Sequence, residues 1–353
     1  MQTFDLRPGA TISRVIRGNW QLASGHSDAQ SEDPIADLTA FADAGITTFD
    51  CADIYTGVEE VIGAFRAAYR KARGEEALKR IRVHTKFVPD LSILSRIEKT
   101  DVEAIIDRSL KRLGQEQLDL VQFHWWDYSQ PRWLDTALWL AELQQAGKIR
   151  NIGGTNFDTA HVAGMVEAGV PLVSMQVQYS LLDRRPAESF TALAREHDIF
   201  LLTYGTVAGG FLSDRWLGVA EPAGEAENRS LTKYKLIIDD WGGWALFQTL
   251  LQALRGIADR HATDIATVAS AAVLRFPQVA GVIVGARNRT HLDGNLAIAA
   301  LDLSAEDLAA IDAVLAQSRP LEGDVYSLER DREGRHGRIM KYNLNDAPAS
   351  QTA

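Results

Sequence analysis

The sequence has a single cysteine, Cys51, among 353 residues. An internal disulfide is therefore excluded, and such sparse cysteine use is typical of a reducing compartment. The N-terminal residues have no apolar signal-peptide core, and no run of about 18 apolar residues predicts a membrane span. The 37 basic residues are outnumbered by 47 acidic ones, and the net charge of -10 offers no overall basic surface for nucleic acid or anionic lipid. These absences predict a soluble, cytoplasmic protein that binds neither nucleic acid nor a membrane.

Short apolar segments alternate with amphipathic segments along most of the chain, and 46% of all residues are hydrophobic. Nearly continuous apolar strands are typical of buried parallel sheets, and eight of them alternating with helices favour an α/β fold, the (β/α)8 or TIM barrel. The predicted strands are 15–20, 46–50, 81–86, 118–123, 149–153, 172–177, 199–203 and 279–284. The predicted helices are 34–44, 58–73, 100–113, 132–146, 158–168, 187–197, 244–260, 264–275, 289–299 and 304–317.

The remaining segments are predicted to decorate this barrel within one domain that comprises residues 1–353, with a core from about 10 to 317. Residues 3–16 contain an Arg-Pro-Gly turn between two short extended pieces and predict an N-terminal hairpin. Two further helices are predicted outside the regular alternation of strands and helices. Residues 205–240 are predicted to form a long loop, and the tail 320–353 is expected either to cross the barrel mouth or to be loosely ordered.

Four residues with complementary chemistry lie at or just beyond predicted strand ends: Asp50, Tyr55, Lys86 and His124. The carboxyl ends of barrel strands converge on one mouth, where barrel enzymes keep their catalytic groups. A tyrosine with an ordinary pKa near ~10 is a poor acid at neutral pH, but a nearby ammonium lowers that pKa. A carboxylate can hold the ammonium, and a histidine can act as a donor or proton relay. This set suits proton transfer to a carbonyl oxygen, with the hydride supplied by a nicotinamide cofactor.

The segments that contain these residues resemble motifs of the aldo-keto reductase superfamily. Phe49–Gly57 is similar to the pattern F-D-T-A-x-x-Y-G, with cysteine in place of threonine and one residue inserted before the glycine. His84-Thr85-Lys86 and Gln122-Phe123-His124 resemble the lysine and histidine strands of the bacterial and channel-subunit-like branch. The resemblance implies that Tyr55 is the general acid, Lys86 lowers its pKa, Asp50 pairs with Lys86, and His124 orients the carbonyl or assists proton transfer.

The same resemblance implies NADPH or NADP+ as the cofactor. Thr155, Asn156 and Gln176 would bind the nicotinamide carboxamide, Tyr204 would stack on the nicotinamide ring, and Arg287 would pair with the 2′-phosphate. Gly294 stands where many relatives have glutamate, which removes one expected adenine contact. The full set of predicted cofactor contacts is Asn19, Trp20, Asp50, Thr155, Asn156, Gln176, Tyr204, Gly205, Thr206, Gly210, Leu212, Gly285, Arg287, His291 and Asn295.

Aromatic residues near the predicted mouth indicate a substrate wall. The predicted substrate contacts are Trp20, Tyr55, His124, Trp125 and Trp126, although the two tryptophans after His124 would also suit packing on a neighbouring surface. Asp50 with Lys86 would also suit a structural ion pair, and Arg287 a solvated charge at a helix start. No metal site is predicted, because the Lys86 ammonium opposes a cation beside Asp50 and His124.

Three functions remain open from the sequence. The first is reduction of an aldehyde or ketone by NADPH, or the reverse oxidation of an alcohol. The second is a lyase or aldolase in which Lys86 forms a Schiff base. The third is a cofactor-sensing regulatory subunit of a membrane protein, as in the channel-associated members of the superfamily. Neither the physiological substrate nor the oligomeric state is predicted.

Overall fold

Parallel strands form the closed barrel around which the molecule is built. The computed structural model describes residues 1–23, 31–223, 229–286 and 288–344. The strands in this part of the chain, β1 to β10 in chain order, are Thr3–Asp5, Thr11–Ser13, Val15–Gly18, Thr48–Asp50, Arg82–Phe87, Leu120–Phe123, Ile152–Thr155, Leu172–Gln178, Phe200–Tyr204 and Val279–Gly285. The last eight are paired in parallel in the closed order β10-β3-β4-β5-β6-β7-β8-β9. The predicted (β/α)8 barrel is therefore confirmed.

Helices surround the barrel, and most of them bury an apolar face against the outer surface of the strands. Within the described ranges they are α1 to α13: Pro34–Asp43, Val58–Arg73, Glu75–Leu78, Lys99–Leu113, Trp133–Gln145, Thr159–Glu167, Ser189–Glu196, Arg229–Trp241, Gly243–Arg260, Ile265–Val273, Leu292–Ala300, Ala305–Leu315 and Ser327–Arg330. None of these helices combines the length and apolarity needed to cross a membrane. The predicted helix bounds agree with the observed ones to within a few residues. Capping residues mark these bounds in the sequence, such as Asp33 at the start of α1 and Gly114 at the end of α4.

The predicted N-terminal hairpin is present and closes one end of the barrel. β1 pairs with β2 in antiparallel fashion. Leu6, Ala10 and Ile12 pack into an apolar cluster with barrel residues such as Leu120. The Arg7 side chain donates a hydrogen bond to the carbonyl of residue 150, just before β7 begins. The hairpin thus covers the N-terminal ends of the strands and leaves their carboxyl ends free for a site.

The prediction of a loop over 205–240 is wrong for its last part, because Arg229–Trp241 is a helix, α8. The reason is visible in its spacing, which places apolar side chains on one face at intervals of three or four residues. That face packs in a second apolar cluster together with α9 and α10. Its buried residues are Leu231, Tyr234, Ile237, Ile238 and Trp241.

The described part of the tail, 320–344, crosses the carboxyl end of the barrel. Arg330 Nη2 donates to the carbonyl of Asn156 at 2.7 Å. The amide of Leu91 donates to the carbonyl of Tyr342 at 3.0 Å, and the amide of Leu344 donates to Asp90 at 2.9 Å. The tail therefore forms one wall of the barrel mouth. The assignment of the whole chain to one domain stays a prediction.

Candidate active site

Asp50 and Lys86 form a buried ion pair at the barrel mouth. Asp50 ends β4, and Lys86 lies near the end of β5, the next strand in the barrel. Lys86 Nζ donates to Asp50 Oδ2 at 2.7 Å and to the carbonyl of Cys51 at 2.8 Å, and both side chains are at most 6% exposed. Burial lowers the pKa of Lys86, but Asp50 and Tyr55 outweigh it and raise that pKa above its ordinary value. The ammonium is therefore permanently charged.

Tyr55 lies beside this ammonium on the turn between β4 and α2. The turn is closed by hydrogen bonds from the Tyr55 amide to the Ala52 carbonyl and from the Val58 amide to the Tyr55 carbonyl. Gly57, with φ of 82°, provides the left-handed backbone that starts α2. Lys86 Nζ is 5.0 Å from the centroid of the Tyr55 ring. Burial raises the pKa of Tyr55, and the charge of Lys86 opposes that rise without cancelling it. The phenol is protonated at neutral pH.

His124 follows β6 directly and is held in one tautomer. Its Nδ1 is 3.0 Å from the carbonyl oxygen of Thr155. Because a carbonyl only accepts, Nδ1 carries the proton, and Nε2 of the neutral ring is an acceptor. Burial and the nearby Arg330 charge lower the pKa of His124 to about 3, so the ring is neutral. Nε2 is buried without a hydrogen-bond partner among the described residues, which leaves it available to a hydroxyl group.

Two glutamines complete the support of Asp50. Gln122 Nε2 and Gln176 Nε2 donate to Asp50 Oδ1 at 2.9 and 2.7 Å, and Gln176 also donates to Gln122 Oε1 at 2.9 Å. The predicted set does not include Gln122. A signal was present, because Gln122 is polar within the apolar strand Leu120–Phe123 and pairs in register with Lys86. Gln176 was predicted to bind a carboxamide; its Nε2 is committed to Asp50, and only Oε1 is left for that contact.

The other residues predicted around the nicotinamide ring lie next to one another. Thr155 ends β7 and is in register with Gln176 of β8. Asn156 has a left-handed backbone with φ of 61°. The hydroxyl of Tyr204 donates to Asn156 Oδ1 at 2.9 Å. The side chain of Asn19 is engaged by Arg17 and by the Asp50 carbonyl, so it braces β3 against β4.

The loop after β9 contains four of the predicted cofactor contacts, and the structure restricts how two of them can be made. Thr206 is buried, and its hydroxyl lies 2.9 Å from that of Ser270. The side chain of Leu212 is fully buried in the cluster with α8 to α10. Both side chains therefore pack away from the mouth, and the predicted cofactor contacts of these two residues, which stay a prediction, would have to come from their backbone atoms. Gly205 and Gly210 have φ of 76° and 102° and provide the tight turns there.

The predicted adenosine end lies around the residues that follow β10. Gly285 is exposed, and a Cβ there would come within 2.1 Å of Gln21 Nε2, the far end of a flexible side chain. His291 is exposed. Asn295 is buried, and its Nδ2 has no hydrogen-bond partner within the described ranges. Arg287, the predicted 2′-phosphate partner, lies outside the described residues.

Four aromatic rings lie at the barrel mouth beside Tyr55 and His124 and form an aromatic wall there. Trp20 packs edge-on against Tyr55 with 4.6 Å between ring centroids. Trp126 contacts His124 in the same way at 4.3 Å. The tail adds Tyr326, 5.7 Å from His124, and Tyr342, 5.3 Å from Trp126. The tail residues were missed, because no local pattern indicates which barrel loop a tail will meet.

The prediction that Trp125 contacts substrate is wrong. Its side chain is fully buried and packs against Phe123 at 5.9 Å. Its indole N–H donates to the carbonyls of Asp127 and Gln130, which turns the ring away from the cleft. Trp126 alone of this pair faces the mouth.

Buried charges anchor the tail over the mouth. Arg185 donates to Asp183 at 2.7 Å and to Glu329 at 3.0 Å, and all three side chains are at most 1% exposed. Lys233 of α8 lies 3.5 Å from Glu329 and 5.3 Å from the centroid of the Tyr204 ring. Burial raises the pKa of Glu329, but Arg185 and Lys233 outweigh this and lower it to about 2. The tail is thus tied by charge to the segment after β8 and to α8.

Replacing Glu329 with glutamine is expected to loosen the tail. It leaves Arg185 and Lys233 buried with Asp183 as their nearest remaining carboxylate, and breaking such pairs costs about 3–5 kcal/mol. Hydrogen exchange in 320–344 should become faster in Glu329→Gln than in wild type. In wild type the stabilisation is present above the ordinary pKa of glutamate and is lost as the pH falls towards about 2. The exposed Glu333→Gln is the matched control, and equal exchange in both variants would contradict the anchoring role.

Comparison with known proteins identifies the family to which this chain belongs. The model of the Aldo/keto reductase family matches residues 14–316, which is most of the chain. The chain belongs to the aldo/keto reductase family. Membership supports an oxidoreductase that acts on carbonyl compounds.

Two curated relatives illustrate the breadth of the family around this aldo/keto reductase. It is 28% identical over 306 residues to "Flagellar radial spoke protein 5" of Chlamydomonas reinhardtii, a match that covers 68% of this chain and 57% of that protein. It is 25% identical over 321 residues to "NADH-specific methylglyoxal reductase" of Escherichia coli strain K12, covering 84% and 93%. The chain thus spans little more than half the length of the first relative.

A solved structure confirms the fold of this aldo/keto reductase. The structure of a glycerol dehydrogenase from Gluconobacter oxydans superposes with a TM-score of 0.72 at 22% identity. The match covers 89% of this chain and 94% of the other. At this level of identity the likeness concerns the barrel and not the substrate.

Proposed function

We propose that this protein reduces an aldehyde or ketone with NADPH, or oxidises the corresponding alcohol with NADP+, and that Tyr55 is its general acid. The observation that carries the proposal is the buried contact set in which Lys86 bonds to Asp50 and lies beside the Tyr55 ring. It supports the role because a protonated phenol next to a fixed cation can donate a proton as negative charge develops on a carbonyl oxygen. The aromatic wall supports a substrate with an apolar or planar face.

Each of the four residues has a separate task in this proposal. Tyr55 donates its hydroxyl proton to the substrate oxygen, and the phenolate that forms is stabilised by Lys86. Asp50 keeps the ammonium in place and is itself held by Gln122 and Gln176. His124 Nε2 accepts a hydrogen bond, so it orients the hydroxyl of the alcohol or of Tyr55. A donor role for neutral His124 would require the opposite tautomer.

The residues at the mouth fit a nicotinamide dinucleotide. Tyr204 and Asn156 are joined beside the catalytic groups, and Gln176 Oε1 is the acceptor available to an amide. The orphaned Nδ2 of Asn295 lies in the segment that the family resemblance assigns to adenine. Bound there, the cofactor supplies the hydride that this chain cannot supply. The tail and the aromatic wall exclude water from the proposed active site.

A Schiff-base role for Lys86 is disfavoured by its surroundings. A nucleophilic lysine must lose its proton, which burial or a neighbouring cation promotes. Here Asp50 and Tyr55 raise the pKa of Lys86, and its ammonium already donates to Asp50 and to the Cys51 carbonyl. Borohydride treatment in the presence of a carbonyl substrate is therefore expected to leave Lys86 unmodified.

A panel of aldehydes and ketones, with NADPH oxidation followed by absorbance, tests the proposed function. We expect turnover with carbonyls that present an apolar or planar face, and the reverse reaction with NADP+ and the matching alcohols. The regulatory alternative predicts tight NADPH binding with little turnover of every member of the panel. That outcome, measured with protein whose cofactor binding has been verified by fluorescence, would refute the reductase proposal.

Arg287→Ala is expected to weaken NADPH binding about 10- to 100-fold, because one charge-assisted contact to a phosphate contributes about 1.5–3 kcal/mol. NADH lacks the 2′-phosphate, so its affinity should change little. Fluorescence titration with both cofactors measures the two dissociation constants. The comparison matters because one relative is named as NADH-specific. Equal losses for both cofactors would show that Arg287 does not read the 2′-phosphate.

A further inference from the structure

A groove lies on the face of the barrel opposite the proposed catalytic residues. Its floor, formed by Arg66, Arg82, Gln115 and Asp119, contains two arginines and one carboxylate. Its volume is about 900 Å³, and it is lined by α2, α3, the turn after α4 and the first residues of β5. Small-molecule sites have volumes of roughly 300–1,000 Å³. Arg82 begins β5, and Lys86 lies near the other end of the same strand. The groove is therefore separate from the proposed active site.

Three buried polar atoms of the floor lack hydrogen-bond partners within the described ranges. They are Nε of Arg66, Nε of Arg82 and Oε1 of Gln115. Buried polar groups are nearly always hydrogen-bonded, so these two donors and one acceptor leave hydrogen-bonding capacity unused in residues that line the groove. Burial lowers the pKa of Arg66, because its guanidinium has lost part of its hydration, although Asp119 and Glu75 partly oppose this.

The carboxylate on the floor does not neutralise both arginines. Asp119 Oδ2 accepts hydrogen bonds from the Val83 amide at 3.1 Å and from Gln115 Nε2 at 3.0 Å. Its Oδ1 is 4.0 Å from Arg82 Nη1, and Arg66 has no ion pair within that distance among the described residues. Arg82 Nη1 instead donates to the carbonyl of Lys79 at 2.6 Å. The Arg66 guanidinium is left for another anion.

The exposed rim adds charges of both signs. In all, the lining has five cationic and three anionic side chains, in a protein whose net charge is -10. The cationic residues are Arg66, Arg70, Lys79, Arg82 and Arg150, and the anionic ones are Glu75, Glu116 and Asp119. A locally positive concave surface on an acidic protein concentrates small anions there.

We propose that this groove binds a small phosphate ester, with the phosphate on Arg66 and Arg82 and a hydroxyl of its organic part on Gln115. The planar guanidinium groups offer paired donors that match phosphate oxygens. The orphaned Oε1 needs a donor, which the carbon-bound hydroxyl groups of a polyol phosphate can supply at a distance from its phosphate. The groove is also larger than an inorganic ion requires.

Isothermal titration calorimetry with myo-inositol 1-phosphate tests the site, since this probe has no carbonyl to be reduced. Titrations are run with and without saturating NADPH, because the cofactor's own phosphate sites also attract anions. We expect saturable one-site binding in both conditions, weaker binding of inorganic phosphate, and none of myo-inositol. Loss of binding when NADPH is added would assign it to the cofactor site and overturn the proposal. The test without NADPH does not depend on the proposed reductase function.

Arg66→Gln is expected to weaken binding of the probe at least 10-fold. Arg66→Lys keeps the positive charge without the planar guanidinium and is expected to weaken binding by less. Arg82→Gln is an independent variant should Arg66→Gln fail to fold. Arg195→Gln on the outer surface of α7 is the matched control and should bind as wild type does. Absence of saturable binding in wild type, or affinity that does not change in either groove variant, would refute the site.

Discussion

Replacing Tyr55 with phenylalanine is expected to lower kcat for carbonyl reduction by about 10³-fold, within the range of 10²–10⁴ for a lost general acid. The change removes one hydroxyl and keeps the ring that packs against Trp20. Since that hydroxyl acts only as the oxygen becomes negative, kcat and kcat/KM should fall together. The dissociation constant for NADPH, measured by fluorescence titration, should stay close to that of wild type.

Tyr69→Phe is the matched control for this variant. It also removes one phenol hydroxyl, but from α2, where that group donates to Asp43 at 3.2 Å on the outside of the barrel. Its kcat is expected to equal that of wild type. Wild-type turnover in Tyr55→Phe would refute the proposed mechanism, and equal losses in both variants would point to a general effect on folding.

The proximity of the proposed catalytic residues was predictable because each lies at or just beyond a strand end in a recognisable motif. Closing the barrel in the order observed brings Asp50 and Lys86 onto neighbouring strands, so that their sequence separation no longer matters. The loop assignment of 229–241 failed for a different reason. The helical spacing of its apolar residues is present in the sequence, but the glycine- and proline-bearing segment before it favours a loop.

The tail contacts and the orientation of adjacent side chains were not predictable. Arg330 reaches the carbonyl of Trp126 across 204 residues of sequence, and only the folded barrel sets that distance. Trp125 and Trp126 are neighbours of the same type after the last residue of β6. One is turned into the core by its indole hydrogen bonds and the other faces the cleft, which composition alone cannot distinguish.

Replacing Lys86 with methionine is expected to slow reduction about 10²-fold or more and to shift the pH dependence of the reaction upwards. The cation favours the phenolate, so its removal raises the pKa of Tyr55 further above the value to which burial has already raised it. In alcohol oxidation the phenolate is the base, and the rate rises with pH through the pKa of Tyr55. The midpoint of that rise should therefore move to higher pH in Lys86→Met.

Stability and chemistry can be separated in this variant, because breaking one side of a buried pair costs about 3–5 kcal/mol while removing both sides is often nearly neutral. Asp50→Asn combined with Lys86→Met should recover much of the free energy of unfolding in urea that Lys86→Met loses. It should not recover kcat, since neither the introduced asparagine nor the introduced methionine offers Tyr55 a positive charge. If activity returned together with stability, Lys86 would be a structural partner of Asp50, and the acidity of Tyr55 would have to come from another group.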